Sequence, residues 1–324
     1  MKAVVAYPNG ALPVCIDLPE PTAQHENEVL VTVKAVAVKH LDKSRAAGKH
    51  YSSDSKENGR IVGGDGVCIL PNGQRVYALG ESGMMAEKAI IDRSHMVPVP
   101  AELSDAIAAA LPNAVAGAAM ALKFKANIQP GDVVLINGAT GFTGYIAVQI
   151  AKYYGAGKVI VTGRNQSALN ELLSLGADDI IPVTQNDEPF TQQLFAIHAQ
   201  TPVDIVIDYL WGRSAELILS CIKGNGSFTN KIRYVSIGTM MGDVIQLSAA
   251  ILRSVDLQLT GSGLGSWSRQ AVGQLLKDII PEMFQLAATG KLKVKTTAIQ
   301  MDNIASLWDT AITGGQRLVV TVGN

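Results

Sequence analysis

The sequence predicts an α/β protein: a doubly wound parallel-sheet domain joined to a smaller, strand-rich β domain. Three observations carry that prediction. Val133–Ile136 is a continuous apolar run, followed by Gly138, Gly141 and Gly144 and then by a helical pattern over Tyr145–Lys152. From Val133 to Gly261 apolar strands alternate with helical stretches. In the first third, short strands follow one another closely with glycine-rich turns between them, the pattern of a small barrel.

In chain order, Lys2–Tyr7 reads as a strand. Glu28–Ala37 is a stronger one, because Val29, Val31, Val33 and Ala35 alternate with Leu30, Thr32 and Lys34. His40–Gly48 suits a short helical turn, with Leu41 and Asp42 at its start. Tyr51–Arg60 is polar, holds Asn58-Gly59, and reads as a loop. Ile61–Val67 is a strand interrupted by Gly63, Gly64 and Gly66, and Arg75–Leu79 and Met85–Ile91 are further strands. Ser104 is a candidate cap for an alanine-rich stretch to Ala126, which Pro112 is expected to split, the second helix running from Ala114 to Phe124. Strands are then predicted at Val159–Thr162, Ile180–Val183, Val203–Tyr209, Arg233–Ile237 and Leu257–Gly261. Helices are predicted at Gln166–Leu175, Phe190–Ala199, Ala215–Lys223 and Ala271–Thr289, the last with Pro281 near its middle. Lys295–Gln300 and Leu318–Val322 return to strand around a helix at Met301–Thr313. The expected division is a first domain of residues 1–120 completed by 292–324, and a second of 121–291.

The 324 residues are 48% hydrophobic, enough apolar material for two cores, and the formal net charge of −1 argues against a nucleic-acid partner. No stretch reads as the roughly 20 uninterrupted apolar residues of a membrane helix, and the opening residues are strand-like rather than a signal peptide. Cys15, Cys68 and Cys221 are scattered and odd in number, which excludes a disulfide framework and points to a reducing cytoplasm.

A strand, a glycine turn and a helix in this order make a phosphate site, because the helix amides and the positive end of its dipole point at the turn. The spacing of Gly138, Gly141 and Gly144 is one residue longer in its first gap than G-x-G-x-x-G. The alternative is an ordinary strand–helix turn. In a dinucleotide fold an acidic residue ending the second strand binds the ribose hydroxyls. Here that strand ends Thr162-Gly163-Arg164-Asn165. Arg164 stands where a 2′-phosphate would lie, so NADPH is the expected cofactor; the alternative for Arg164 is a solvated surface arginine. Tyr154 and Lys158 match a Y-x-x-x-K spelling, but Gly155 and Gly157 between them place the pair across a turn rather than on one helix face. His25, His40, His50, His95 and His198 are too dispersed for a helical metal pair. No G-x-S-x-G is present, which removes a nucleophile elbow.

The block Pro130–Lys152, with Leu175–Asp178 and Val203–Asp208, resembles the medium-chain dehydrogenase/reductase superfamily, and within it the zinc-free NADPH:quinone oxidoreductase branch. The resemblance spans nearly the whole chain. It implies a GroES-like catalytic domain, a Rossmann domain, and a cofactor lying in the cleft between them. Val38–Asp42 and Gly63-Gly64-Asp65 match the segments that supply a catalytic zinc in the family's alcohol dehydrogenases, but the Cys and the His of those segments are missing, so no metal is expected. The branch usually carries Asn-x-x-Asp in the first segment; here Lys39 takes the Asn position and Asp42 remains. The segment after Tyr51 is shorter than usual, which implies a reshaped substrate cleft. Tyr51 resembles a tyrosine facing the nicotinamide, the alternative being a loop tyrosine packed on the β domain. Tyr51, Lys39 and Asp42 are therefore the catalytic candidates. The cofactor candidates are Gly138, Thr140, Gly141, Phe142, Thr143 and Gly144, then Gly163, Arg164 and Asn165, then Gly238 and Thr239, Ser262 and Gly263, and Arg317 as a basic residue approaching the phosphates. The implied function is hydride transfer from NADPH to a small-molecule quinone or α,β-unsaturated carbonyl without zinc, in a cytoplasmic homodimer. The alternative is a non-catalytic NADPH-binding structural or partner-binding protein.

Overall fold

In the computed structural model, residues 1–7, 11–48, 59–183, 186–309, 312 and 314–323 are described. The chain separates into two compact units. One comprises Met1–Pro112 and Leu276–Asn324, the other the contiguous stretch Asn113–Leu275. Both divisions fall inside helical stretches, where no turn marks them in the sequence, and both lie earlier than the expected 120/121 and 291/292.

The chain opens with β1 (Lys2–Ala6), β2 (Val14–Asp17), β3 (Glu28–Ala37), α1 (His40–Ala46), β4 (Arg60–Ile61), β5 (Asp65–Ile69), β6 (Arg75–Gly80) and β7 (Lys88–Pro98). After α2 (Asp105–Met120) come β8 (Val133–Asn137), α3 (Phe142–Tyr153), β9 (Lys158–Gly163), α4 (Gln166–Leu173), β10 (Asp179–Pro182), α5 (Asp187–Gln200) and β11 (Ile205–Asp208). Then follow α6 (Gly212–Cys221), β12 (Ile232–Ser236), α7 (Ala249–Ser254), β13 (Leu257–Gly261) and α8 (Arg269–Gln274). The chain ends with α9 (Ile280–Ala288), β14 (Lys295–Gln300), α10 (Ile304–Leu307) and β15 (Gln316–Thr321).

In the first unit β1 is flanked by β2 and β4, and a six-stranded sheet runs β14-β15-β3-β5-β6-β7. β3 also pairs with β7, so β3, β5, β6 and β7 close on themselves and leave no free edge among them. The alternation read in Glu28–Ala37 is what the strand buries: Val29, Val31, Val33 and Ala35 are all within 5% exposure, and the three valines share a core with Cys68, Val76, Met84, Ile91, Leu318 and Val320. Gly63, at φ +79°, makes the break between β4 and β5.

The second unit is one parallel sheet in the order β10-β9-β8-β11-β12-β13, the doubly wound arrangement expected. β8 is buried along its whole length, as a central parallel strand flanked by helices must be. The order reverses between β8 and β11, so the carboxyl ends of these two strands border the crevice where this architecture takes its ligands.

Several expectations are corrected. α2 runs unbroken through Pro112. The ring removes the bond to the Ala108 carbonyl, but Ala108, Ala109, Ala110 and Leu111 are all within 1% exposure, and their packing outweighs that loss. The helix expected over Ala271–Thr289 is instead α8, a π turn at Leu275–Ile279, and α9; the wider turn accommodates Pro281, which cannot bond backward. Of the helix expected at Met301–Thr313, the described part is a 3₁₀ turn at Met301–Asn303 and α10. β7 starts and ends later than Met85–Ile91, and α7 is a helix that the sequence pattern did not place. Asp105–Lys125, finally, has the length and the mean hydropathy (1.4) to cross a membrane, and 67% of that window is buried inside the protein. Asp105, Asn113 and Lys123 interrupt the apolar run, so this core helix does not read as an unbroken apolar segment.

Candidate cofactor and active site

The three glycines after β8 each meet a different demand. Gly138 has φ +88°, and a Cβ there would lie 2.8 Å from Leu210 Cγ. Gly144 packs the first turn of α3 onto the strand, since a Cβ would come within 2.5 Å of Ala139 Cα. Gly141 is the N-cap of α3 and is not crowded at all: a Cβ would meet only the Gly138 carbonyl, 3.9 Å away. No side chain caps α3 there. Its amino end therefore opens onto a space that a side chain would fill and a phosphate could occupy. Phe142 is buried, while Thr140 and Thr143 are half-buried along the same turn.

β9 ends beside this turn because Gly163 has no side chain; a Cβ would collide with Thr140. Arg164 follows. It is exposed and makes no hydrogen bond or ion pair with any described residue. Asn165 caps α4, its Oδ1 accepting from the Ala168 amide at 3.0 Å. Across the sheet, Gly238 follows β12, where a Cβ would lie 2.5 Å from the Tyr209 carbonyl. Thr239 is exposed next to it. After β13, Ser262 is buried and accepts from the Trp267 indole at 3.0 Å, while Gly263 has open space around it. The fold thus gathers four predicted segments at the carboxyl ends of β8, β9, β12 and β13.

Beneath the glycine turn lies a buried network that the sequence did not announce. Asp208, closing β11, accepts through Oδ1 from Asn137 Nδ2 (2.7 Å) and from the Leu210 and Trp211 amides (2.9 and 3.1 Å). Its Oδ2 accepts from Tyr234 OH at 2.7 Å. Asn137 also donates to Ser214 Oγ (2.9 Å) and accepts from Thr162 Oγ1 (2.6 Å). Burial pushes the Asp208 carboxyl above its ordinary range, against the pull of these donors. Trp211 sits at φ +56°, rare for a bulky residue, and stacks edge-on against Tyr234 at 6.2 Å. A signal for the network exists in the sequence: β8, β9 and β11 are apolar runs that each carry a polar residue at or beside their last position.

In the first unit the structure brings Lys39, Asp42, Asp65 and Arg317 together, all within 7% exposure. The Lys39 ammonium reaches Asp42 Oδ2 (3.1 Å), Asp65 Oδ1 and the Ala37 carbonyl (3.3 Å), so its three N–H donors all have partners inside the protein. Tyr77 OH donates to Asp65 Oδ2 at 2.7 Å. Asp42 also accepts from the Lys39 amide at 2.9 Å, which fixes the start of α1. Arg317 donates to the Val38 carbonyl at 3.3 Å and lies near both carboxylates. Burial alone would lower the Lys39 pKa, but Asp42 and Asp65 hold the ammonium charged and raise it above the usual lysine value. Burial pushes Arg317 down to about 10, so it too is cationic at neutral pH. Burial lowers His40 as well, helped by the Arg317 and Lys43 charges. Arg317, expected near the cofactor phosphates, is thus part of a buried ion cluster with two cations and two carboxylates. Tyr51 and His50 lie outside the described residues. Lys158 pairs with Asp179 at 2.7 Å and Tyr154 caps the end of α3, so these two do straddle a turn.

The doubly wound sheet with a glycine turn after its central strand defines a nucleotide-binding fold, here carried beside a partly closed β unit. Residues 143–280 match the zinc-binding dehydrogenase family. The chain is 27% identical to a quinone oxidoreductase-like protein 2 homolog of Nematostella vectensis, over 82% of this chain and 73% of that one. It is 26% identical to a protein of Emericella nidulans named a probable NADPH-dependent quinone reductase, over 98% and 99%. The quinone oxidoreductase of Thermus thermophilus, solved also with NADPH, superposes with a TM-score of 0.79 at 26% identity, over 99% of this chain and 100% of the other. The chain thus resembles the medium-chain dehydrogenase/reductase superfamily and, within it, the quinone reductases.

The name of the matching family raises the question of zinc. At the segments that supply it, this chain offers an ammonium between two carboxylates rather than a thiolate and an imidazole. A charged lysine in that position repels a divalent cation, and the donor set does not suit zinc. Among the described residues no cluster of His, Cys, Asp and Glu could hold a metal.

Proposed function

We propose that the protein is a zinc-independent, NADPH-dependent reductase of quinones or α,β-unsaturated carbonyls. The observation that carries this reading is the Lys39 ammonium locked between Asp42 and Asp65 where a metal would otherwise polarise the substrate. With no Lewis acid, the acceptors within reach are those already polarised by conjugation. The residues around the glycine turn fit a nicotinamide dinucleotide, and such a cofactor, when bound, supplies the hydride. The open amino end of α3 at Gly141 would hold the pyrophosphate, and the exposed Arg164 guanidinium would bind the 2′-phosphate. The relatives named quinone reductases support the same assignment. Lys39 has no N–H left for a substrate, which leaves the Tyr51 hydroxyl as the proposed donor to the developing oxyanion and Asp42 as a residue that holds Lys39 rather than one that meets substrate.

Steady-state rates with NADPH, one quinone and one enone, with NADH and with a primary alcohol plus NADP as controls, test the reading. Conjugated acceptors should turn over and the alcohol should not, and a chelator should leave the rates unchanged. Tyr51→Phe should lower kcat by about a hundredfold to a thousandfold if its hydroxyl is the oxyanion donor. Robust alcohol oxidation, or one tightly held zinc per chain, would overturn the assignment. The saturated Lys39 also suits a second reading, a non-catalytic NADPH-binding protein in which the cluster is purely structural. NADPH binding without turnover of any conjugated acceptor would establish that one.

A further inference from the structure

We infer that Thr162 is a specificity-positioning residue: its hydroxyl ties the glycine turn to Arg164, so that the two phosphate groups of NADPH are held at a fixed separation. This rests on the NADPH reading above. Thr162 is fully buried. Its carbonyl accepts from the Ala139 amide at 2.8 Å, and its Oγ1 accepts from the Gly138 amide at 3.1 Å. The first two residues of the glycine turn therefore both hang from Thr162. Two positions further on stands Arg164, with only Gly163 between, and Gly163 is itself pressed against Thr140 of the same turn.

The direction of every bond in this chain is forced from its far end. A carboxylate only accepts, so Asp208 compels Asn137 to turn its amide nitrogen toward it. The Asn137 oxygen must then face Thr162, and the Thr162 hydroxyl must donate to it. That leaves the Thr162 oxygen lone pairs for the Gly138 N–H. With the proton reversed, two acceptors would face each other and the Gly138 amide would lose its partner. Asp208 therefore sets the polarity, and Thr162 delivers it to the turn. A valine keeps the shape and removes both bonds; a serine keeps both.

The test is a double-mutant cycle on cofactor binding. Dissociation constants for NADPH and NADH are measured in the wild type, Thr162→Val, Thr162→Ser, Arg164→Ala and Thr162→Val/Arg164→Ala, with thermal melts to verify folding. Thr162→Val should weaken NADPH roughly tenfold, because a buried donor and a buried acceptor lose their partners, and should weaken NADH by no more than about threefold. Thr162→Ser should restore wild-type affinity. In the Arg164→Ala background the Thr162→Val loss for NADPH should shrink to that for NADH, since the second anchor is gone. Equal losses for both cofactors, or the same loss in both backgrounds, would overturn the proposal: Thr162 would then support the turn alone. If Thr162→Val does not fold, Thr162→Ala enters the same cycle. A wild type that shows no preference for NADPH over NADH would instead reject the cofactor reading itself, and this inference with it.

Discussion

The two units bury their polar groups on opposite plans. In the first, four charges cancel one another inside the protein: Lys39 and Arg317 against Asp42 and Asp65. In the second, a single carboxylate, Asp208, is held by neutral donors, and the cation that matters, Arg164, is left outside with no partner among the described residues. In the first arrangement all three Lys39 N–H donors are taken inside the protein, so that ammonium has none left for a ligand. The second is a fixed frame that presents free groups outward. Charge inside a protein is thus evidence of function only when some of its hydrogen-bonding capacity is left over.

The largest expected effect tests the closed cluster. Lys39→Met should destabilise the protein by about 3–5 kcal/mol, because it leaves two buried carboxylates with Arg317 as their one remaining cation. Lys39→Met/Asp65→Asn should recover part of that loss, since Asp42 still has Arg317. Urea denaturation measures both, and a Lys39→Met variant as stable as the wild type would erase the contrast between the units. The middle effect tests the open frame. Arg164→Ala should cost NADPH roughly 1.5–3 kcal/mol of binding, or about tenfold to a hundredfold, and leave both NADH affinity and the melting temperature unchanged. A loss of stability there would mean that Arg164 belongs to the fold after all.

The smallest effect lies in pH dependence and separates the clusters by window. The folded pKa of Lys39 is raised above 10.5, so its contribution to stability is whole below that value and is lost as pH rises through the folded pKa. Burial raises the folded pKa of Asp208 above 3.8, so its contribution to stability falls as pH rises past that value toward the folded pKa. Both contributions decline with rising pH, one in the alkaline range and one in the acid range. Denaturation should show Asp208→Asn gaining on the wild type as pH rises from about 4, and the wild type losing its advantage over Lys39→Met as pH rises above about 10.5. A flat difference in either window would detach that cluster from the titration.

Much of this was legible in the sequence because it is local. The apolar run Val133–Ile136, the glycines after it and the missing carboxylate at Arg164 all lie in one short stretch of chain. Tyr77 and Arg317 could not be read the same way. They join Lys39 and Asp65 only through tertiary packing, and Arg317 bonds Val38 across 279 positions of chain. Pro112 shows the opposite failure: a correct local rule is overridden by the burial of its neighbours. The Asp208 network falls between these cases, since its strand-end members can be picked out one by one but their meeting depends on the sheet order.

The position of β15 between β14 and β3 has a consequence for how the chain is made. Asn113–Leu275 is contiguous, so it can fold as soon as it has left the ribosome. The β unit waits: β3 emerges early but receives its neighbour β15 only after the whole of Asn113–Leu275 has been made. During that interval Lys39, Asp42 and Asp65 have all been made, while the second cation of their cluster, Arg317, has not. Until β15 is made, that edge of β3 has no partner and the buried carboxylates lack their second cation, the kind of unpaired edge that invites misassembly.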